Sequence, residues 1–137
     1  MQTSGFDHVD LTVSDIERSR RFYGDLLGFE LTKIPDDYPD PIFAGSCSFM
    51  VGGVEISLLT HRETPPNDRF SEFRIGLDHL SFKAPDEAAL HALAEKLIAA
   101  GVETKGVELY RPSGKKYVSF RDPDNIQLEY WYDTPVE

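Results

Sequence analysis

The chain is poor in cysteine, in positive charge and in long apolar runs. Cys47 is its only cysteine, which excludes an intrachain disulfide, favours a reducing compartment and suggests a small buried residue rather than a nucleophile. No apolar run approaches the roughly 20 residues that span a bilayer. The segment "MQTSGFDHVD" lacks a basic-then-apolar signal pattern. We therefore expect a soluble, cytoplasmic protein.

Acidic residues outnumber basic ones. The sequence has 24 Asp and Glu against 14 Lys and Arg, for a formal net charge of −10. Such a charge repels phosphate at long range, so we expect neither a nucleic-acid nor a membrane partner. The length and the 40% apolar share fit a single domain covering residues 1–137.

What the chain does contain is an internal repeat. The stretch "FDHVDLTVSDIERSRRFYGDLLGFEL" is echoed by "LDHLSFKAPDEAALHALAEKLIAAGVET". Each copy opens with Asp-His in a β-rich run and enters a helix-like stretch that ends at Gly28 or Gly101. The repeat predicts two modules, about residues 5–62 and 76–133, with one histidine from each at a shared site.

Alternating apolar residues and turn signals define the elements of each copy. The first copy predicts a strand at 6–13, a helix from Ser14 or Asp15 to Gly28, a strand at 29–34, a loop at 35–45, and strands at 46–51 and 54–60 joined by Gly52-Gly53. The second predicts a strand at 77–83, a helix at 86–100, and strands at 102–107, 116–121 and 126–132. Both read β-α-β-β-β. We predict an α+β fold of two tandem βαβββ modules forming a curved, cup-like mixed sheet with helices outside.

Three metal-ligand side chains fall on the polar, concave faces of these strands: His8, His79 and Glu129. Two imidazoles and one carboxylate form a facial triad that leaves metal positions open. A substrate with adjacent oxygens can chelate there, and the cation stabilises the negative charge that develops. The other histidines, His61 and His91, are expected to face solvent.

The repeat also predicts the counterpart of each ligand. Ser57 aligns with Glu129, and Glu55 aligns with Gln127. Glu55 is the second-choice ligand, because a same-face neighbour two residues along a strand lies roughly 6.5 Å away.

These stretches, with "LDHLSF" and "FRDPDNIQLEYW", resemble the vicinal oxygen chelate superfamily, which includes glyoxalase, bleomycin-resistance, fosfomycin-resistance and extradiol dioxygenase proteins. The resemblance covers nearly the whole chain. It implies paired βαβββ modules around a divalent metal, usually in a homodimer, with His8, His79 and Glu129 at the family's ligand positions. The activity stays open, because one fold hosts many chemistries.

Departures from the family patterns narrow the chemistry. Ser57 stands where glyoxalase lyases carry a carboxylate or amide, which argues against lyase activity. Ser119 occupies the position of the extradiol tyrosine, and Tyr117 on the same strand face is a candidate substitute. Asn125 replaces a Gly or Pro of the extradiol turn and tolerates left-handed geometry. The triad also matches fosfomycin-resistance transferases, without their substrate-binding segments.

Several further residues are candidates for substrate contact or catalysis. Arg111, in a basic loop flanked by aromatic residues, is a candidate clamp for an anionic substrate, although an ordinary solvated loop explains it too. Gln127 and Trp131 are candidate substrate contacts, with a core role as the alternative for the indole. Tyr117 and Glu55 are the candidates for a catalytic role.

We therefore predict a metal-dependent enzyme acting on a small oxygenated organic molecule, leaning to extradiol-dioxygenase-like chemistry. The ion could be Fe²⁺, Mn²⁺, Zn²⁺ or Ni²⁺, since affinity order does not fix the metal in a cell. The alternative is a non-catalytic protein that sequesters a small molecule or antibiotic, as bleomycin-resistance proteins do. A purely structural or partner-binding homologue is the third option.

Overall fold

A computed structural model describes residues 1–133. The chain divides into two compact units, residues 1–68 and residues from 69 onward. Each unit contains one four-stranded mixed sheet and one helical segment. The α+β prediction of two tandem βαβββ modules is confirmed. The single domain predicted for residues 1–137 stays a prediction, and its last four residues lie outside the described part.

The first unit follows the predicted β-α-β-β-β order. Its strands pair in the order β1-β4-β3-β2. The β1·β4 pair is parallel, and the other two pairs are antiparallel. The elements are β1 (His8–Thr12), α1 (Ile16–Arg20), β2 (Thr32–Lys33), β3 (Cys47–Val51) and β4 (Val54–Leu59).

The helix of the first unit starts as predicted and then changes its geometry. The Asp15 carboxylate caps α1 by accepting a backbone N–H of the first turn, as an N-cap residue does. A π-helical turn, Arg21–Leu26, continues the helix, and a backbone N–H donates to the Phe22 carbonyl five residues back at 3.0 Å. Phe22 and Tyr23 in this turn are buried. The π-helical turn has no signal in the predicted apolar stripe.

The second unit repeats this arrangement. Its strands pair in the order β5-β8-β7-β6, with a parallel β5·β8 pair and two antiparallel pairs. Helix α2 is capped by Asp86 and packs against β6, β7 and β8. The elements are β5 (Leu80–Lys83), α2 (Glu87–Ala99), β6 (Val107–Tyr110), β7 (Lys115–Arg121) and β8 (Gln127–Tyr132).

The strand predicted at 102–107 is wrong in position, since β6 begins only at the end of that range. The Thr104 hydroxyl donates to the Ser119 carbonyl at 2.9 Å, and the Gly106 N–H donates to the Thr104 hydroxyl at 3.1 Å. Before β6, hydrogen bonds of the Thr104 side chain therefore replace the backbone hydrogen bonds that would pair this segment with β7.

The remaining strand boundaries also shift. The strand predicted at 29–34 shrinks to the two residues of β2, because the Phe29 N–H donates to the Tyr23 carbonyl and extends the helical hydrogen bonding. The strand predicted from residue 77 begins at Leu80. No helix among residues 1–133 has the length and apolar character needed to cross a membrane.

The two hairpin turns differ by one residue. Met50 pairs with Glu55 across the β3–β4 turn, whereas Arg121 pairs with Gln127 across the β7–β8 turn, which adds one residue to the second loop. Gly52 and Gly53 have φ values of +53° and +83°, as a type I′ turn requires.

Asn125 shapes the longer turn with a φ of +72°, in agreement with the left-handed tolerance expected of asparagine. The buried Asp122 carboxylate accepts two backbone N–H groups of this turn, at 2.9 and 2.8 Å. The longer connection is therefore an ordered loop with satisfied polar groups.

Core packing beneath β8 gives a stability prediction. Leu128 is fully buried, whereas Leu109 is 56% exposed. Leu128→Ala should lower the free energy of unfolding by about 2–5 kcal/mol, because it leaves a cavity. Leu109→Ala, with the same chemical change, should stay within about 0.5 kcal/mol of wild type. Urea unfolding of both variants checks this, and equal losses would contradict the assigned core.

Candidate functional site

The strand register sets the two modules in correspondence. Asp10, two residues after the first repeat histidine, pairs with Ser57 across β1·β4. Ser81, two residues after the second repeat histidine, pairs with Glu129 across β5·β8. Ser57 and Glu129 therefore occupy equivalent ladder positions in the two sheets. Only the second copy has a carboxylate there.

Each repeat histidine has the same carboxylate partner. His8 Nδ1 lies 2.7 Å from Asp7 Oδ1, and His79 Nδ1 lies 2.6 Å from Asp78 Oδ1. An ionised carboxylate only accepts hydrogen bonds, so Nδ1 carries the proton and Nε2 keeps the lone pair in the neutral ring. Metal-binding histidines are oriented in this way. The hydrogen bond to Asp7 is also the main reason that the pKa of His8 is raised.

The Glu129 side chain is largely enclosed, with 9% of the residue's surface exposed. Its Oε2 accepts hydrogen bonds from Trp131 Nε1 at 2.5 Å and from the Ser81 hydroxyl at 3.1 Å. Its Oε1 accepts one from Gln127 Nε2 at 3.4 Å. Three neutral donors from β5 and β8 thus fix this carboxylate.

His79 and Glu129 meet at a distance that suits a shared cation. His79 Nε2 lies 3.3 Å from Glu129 Oε2. Two ligand atoms at about 2.1 Å from one ion, at angles between 90° and tetrahedral, are separated by about 3.0–3.4 Å. A proton or a metal between the two lone pairs removes their repulsion. This pair therefore fits two neighbouring ligand positions of a divalent ion.

The third predicted ligand, His8, belongs to the first unit. Among residues 1–133, no group of three or more His, Cys, Asp and Glu side chains is gathered as a metal cluster. The structure therefore shows the His79–Glu129 pair, and the set of His8, His79 and Glu129 stays a prediction. Glu55, the second-choice ligand, lies directly across the strands from His8 and accepts the Ser57 hydroxyl at 3.3 Å.

A cavity of about 560 Å³ opens in the second unit. Its lining includes Glu129, Gln127, Tyr117, Ser119 and Arg121. Four of these were singled out in the sequence, and alternation along β7 places Arg121 on the face of the other two β7 residues. The period-two pattern could therefore have identified Arg121 as well.

Trp131 and Tyr117 stand beside Glu129, and a third aromatic ring, Tyr110, packs on Trp131. Trp131 stacks on Tyr117 with ring centroids 4.6 Å apart, and Tyr110 meets the indole edge-on at 5.6 Å. Desolvation, followed by the charges of Glu108 and Glu129, raises the pKa of Tyr117. At neutral pH the Tyr117 phenol is therefore a proton donor and not a base.

The two lysines of the predicted basic loop are the first residues of β7, and each pairs with a carboxylate of the protein. Lys116 Nζ lies 2.5 Å from Glu87 Oε1, and Lys115 Nζ lies 2.9 Å from Asp133 Oδ1. Arg111 is exposed on the turn between β6 and β7. It is not among the residues lining the cavity. This exposure fits the alternative of an ordinary solvated loop. The role of Arg111 as a clamp for an anionic substrate stays a prediction.

The sequence also singled out Cys47, His61 and His91. Cys47 is 1% exposed, and burial raises the pKa of its thiol, which makes it a poor nucleophile. His61 and His91 are exposed, as expected. His91 lies on α2, within 3.5 Å of Glu87.

Arg121 makes an ion pair that sequence reasoning missed. Its two Nη atoms contact the Glu72 carboxylate at 2.6 and 3.1 Å. This contact lowers the pKa of Glu72 from 4.5 to about 2. Glu72 precedes β5 by several residues, so no local pattern could pair it with the end of β7.

The Glu72–Arg121 pair gives a pH prediction. Because the folded-state pKa of Glu72 is depressed to about 2 from 4.5, its stabilisation is present above pH 4.5 and is lost as the pH falls toward 2. Glu72→Gln should therefore be less stable than wild type at pH 7, with a difference that shrinks below pH 4.5. Urea midpoints across this range test it, with Glu95→Gln as an exposed control. A difference that is independent of pH would contradict it.

Comparison with known proteins assigns the family. The uncharacterized protein YwkD of Bacillus subtilis (strain 168) is 27% identical over 131 residues, which are 96% of this chain and 98% of YwkD. The manganese-dependent 2,3-dihydroxybiphenyl 1,2-dioxygenase of Geobacillus genomosp. 3 is 29% identical over 129 residues, which are 93% of this chain but 36% of that enzyme.

A solved structure agrees with this similarity. The glyoxylase/bleomycin resistance protein/dioxygenase domain from Frankia sp. EAN1pec superposes with a TM-score of 0.77 at 32% identity, covering 96% of this chain and 99% of that one. The family model of the Glyoxalase/Bleomycin resistance protein/Dioxygenase superfamily matches residues 5–130. The resemblance predicted from the sequence is confirmed, and the chain belongs to this superfamily.

Proposed function

We propose that the protein is a metal-dependent enzyme acting on a small organic substrate that chelates the ion through adjacent oxygens. His8, His79 and Glu129 would hold the ion. The observation that carries the proposal is the 3.3 Å approach of His79 Nε2 to Glu129 Oε2. Asp78 fixes the imidazole from behind at 2.6 Å. An aspartate behind a ligating histidine raises its basicity and sets its tautomer.

The chain's own residues account for binding and orientation. Trp131 and Ser81 hold Glu129 against His79, and the cavity beside them has room for a small organic molecule. A bound divalent ion would supply Lewis-acid stabilisation of negative charge on the substrate oxygens. The protonated Tyr117 hydroxyl is hydrogen-bonded to Glu108, and it would exchange this partner for a substrate oxygen to donate a hydrogen bond in the cavity.

The missing base favours dioxygenase-like chemistry over lyase chemistry. Ser57, at the ladder position equivalent to Glu129, is a poor acceptor for the proton that a lyase or isomerase must move. The similarity to a manganese-dependent 2,3-dihydroxybiphenyl 1,2-dioxygenase supports the same choice. We therefore propose Fe²⁺ or Mn²⁺ for ring cleavage, with Zn²⁺ or Ni²⁺ suiting the lyase, isomerase or transferase alternatives.

A second candidate function is sequestration of a small molecule or antibiotic without catalysis. The stack of Tyr117 and Trp131, with Tyr110 at its edge, favours it. Flat aromatic faces beside a cavity bind planar ligands without help from a metal. Sequestration would need the cavity and the stack but not the His79–Glu129 pair.

We also propose a cytoplasmic homodimer. Phe73 and Ile75 are 92% and 109% exposed within one chain. Large apolar side chains that are exposed together favour association, and a second copy of the chain is the partner that the resemblance implies.

Metal analysis tests the enzyme proposal. Wild-type protein supplemented with Fe²⁺, Mn²⁺, Ni²⁺ or Zn²⁺ should retain near-stoichiometric metal after desalting. His79→Ala and Glu129→Gln should lose most of it, because each removes one of two adjacent ligands. His91→Ala removes an exposed histidine of α2 and should bind metal as wild type does.

Retention of no metal by the wild type would reject the enzyme proposal and leave sequestration. Equal metal content in all three variants would place the ion elsewhere. If the metal binds as expected, oxygen consumption with catechols separates ring cleavage from lyase or isomerase chemistry.

A further inference from the structure

We infer that Arg121 and Gln127 are positioning residues for Glu129 and that Arg121 is not a substrate clamp. Glu72 anchors Arg121, Arg121 orients the Gln127 amide, and this amide donates to the proposed metal ligand. The inference rests on the proposed function, since it assigns a role to the support of that same site. An arginine that lines a ligand cavity would otherwise suggest a contact for anionic substrates.

The hydrogen bonds of Arg121 argue against a clamp. Nη1 donates to Glu72 Oε2 and to the Asn125 carbonyl, each at 3.1 Å. Nη2 donates to Glu72 Oε1 at 2.6 Å and to Gln127 Oε1 at 3.5 Å. Four of the five guanidinium N–H groups thus have partners within the protein. A bidentate contact to a carboxylate needs two parallel N–H groups, and Arg121 does not have them to offer.

The chemistry of the neighbours fixes the Gln127 amide in one orientation. A guanidinium has only donors, so the amide oxygen must face Arg121. The amide nitrogen then faces Glu129 Oε1 at 3.4 Å. A flipped amide would place its N–H₂ against Arg121 and its oxygen against a carboxylate. The Arg121 guanidinium therefore orients the Gln127 amide so that its N–H₂ group donates to the Glu129 carboxylate.

The first module acts as an internal comparison. Arg121 pairs with Gln127 across β7·β8, and the equivalent pair across β3·β4 is Met50 with Glu55. The ladder position of Glu129 is taken by a serine there. The module without the ligand carboxylate thus also lacks the guanidinium and the amide. The network accompanies the carboxylate that it supports.

A connector segment, residues 70–72, fixes the outer end of the network. The Phe70 N–H donates to the Asp124 carbonyl at 2.9 Å, and Asn125 Nδ2 donates to the Phe70 carbonyl at 2.9 Å. Glu72, two residues on, reaches Arg121. The connector segment is therefore tied to the β7–β8 turn at several points. Glu72 of this segment thus holds the Arg121 guanidinium in place, and Arg121 in turn holds the Gln127 amide.

Mn²⁺ and Zn²⁺ titrations followed by Trp131 fluorescence test the inference. Trp131 is the only tryptophan and donates to Glu129, so its emission reports on the proposed ligand. Gln127→Met and Arg121→Met should each weaken metal binding about tenfold, at the lower end of the effect of outer partners of metal ligands. Gln127→Met keeps the net charge and approximate volume of the side chain.

The control is Lys105→Met, because Lys105 lines the same cavity. Loss of a cation near the site should by itself leave cation binding unchanged or strengthen it. Arg121→Met also removes a cation, but it should weaken metal binding. The double variant should bind no more weakly than Gln127→Met alone, because the two residues act in series. In metal-free protein, Gln127→Met should already shift the Trp131 emission.

The outcomes distinguish failure of the positioning role from failure of the proposed metal site. Wild-type affinity in Gln127→Met, or an Arg121→Met variant that behaves like Lys105→Met, overturns the positioning role and leaves the metal site intact. A wild type that binds neither ion overturns both this inference and the proposed function. If Arg121→Met unfolds, the Gln127→Met result stands alone, with urea unfolding to show that this variant is folded.

Discussion

Burial of the Glu129 carboxylate is the constraint on which the second module depends. A carboxylate with this little exposure is costly unless donors surround it. The parallel β5·β8 pair supplies Ser81 from one strand and Gln127 and Trp131 from the other. Every one of these donors is neutral. The negative charge is therefore hydrogen-bonded but not neutralised, which leaves it available to a cation.

That requirement explains features that look unrelated in the sequence. The indole of Trp131 is held by its N–H and by the stack on Tyr117. Arg121 faces the cavity but directs its charge at Glu72. The guanidinium would otherwise compete with a metal for the same carboxylate. Pairing it with Glu72 keeps the cation close enough to orient Gln127 without neutralising Glu129.

Much of this arrangement could be predicted from the sequence, because it rests on periodicity. Strand alternation and the repeat placed His79 and Glu129 on one face, and the structure brings them within 3.3 Å. The Gly52-Gly53 turn, the Asp15 cap and the left-handed Asn125 followed from local backbone preferences. These signals lie within a few residues of the feature that they specify.

Long-range side-chain contacts gave no such signal. Glu72 and Arg121 are far apart in the chain, and nothing local pairs them. The late start of β6 depends on a Thr104 hydroxyl bonding to the next strand. The π-helical turn at Arg21–Leu26 arises from a shift in carbonyl partners that an apolar stripe does not encode. Tertiary context decided each of these.

The extra residue between Arg121 and Gln127 has a consequence for how the two copies diverged. Had it been inserted within β8, every later side chain would have moved to the opposite side of the sheet, and the glutamate would have entered the core. The turn absorbs the insertion, so the phase of the strand is unchanged. The two modules can therefore differ in loop length while Ser57 and Glu129 keep equivalent positions on the same face of their sheets.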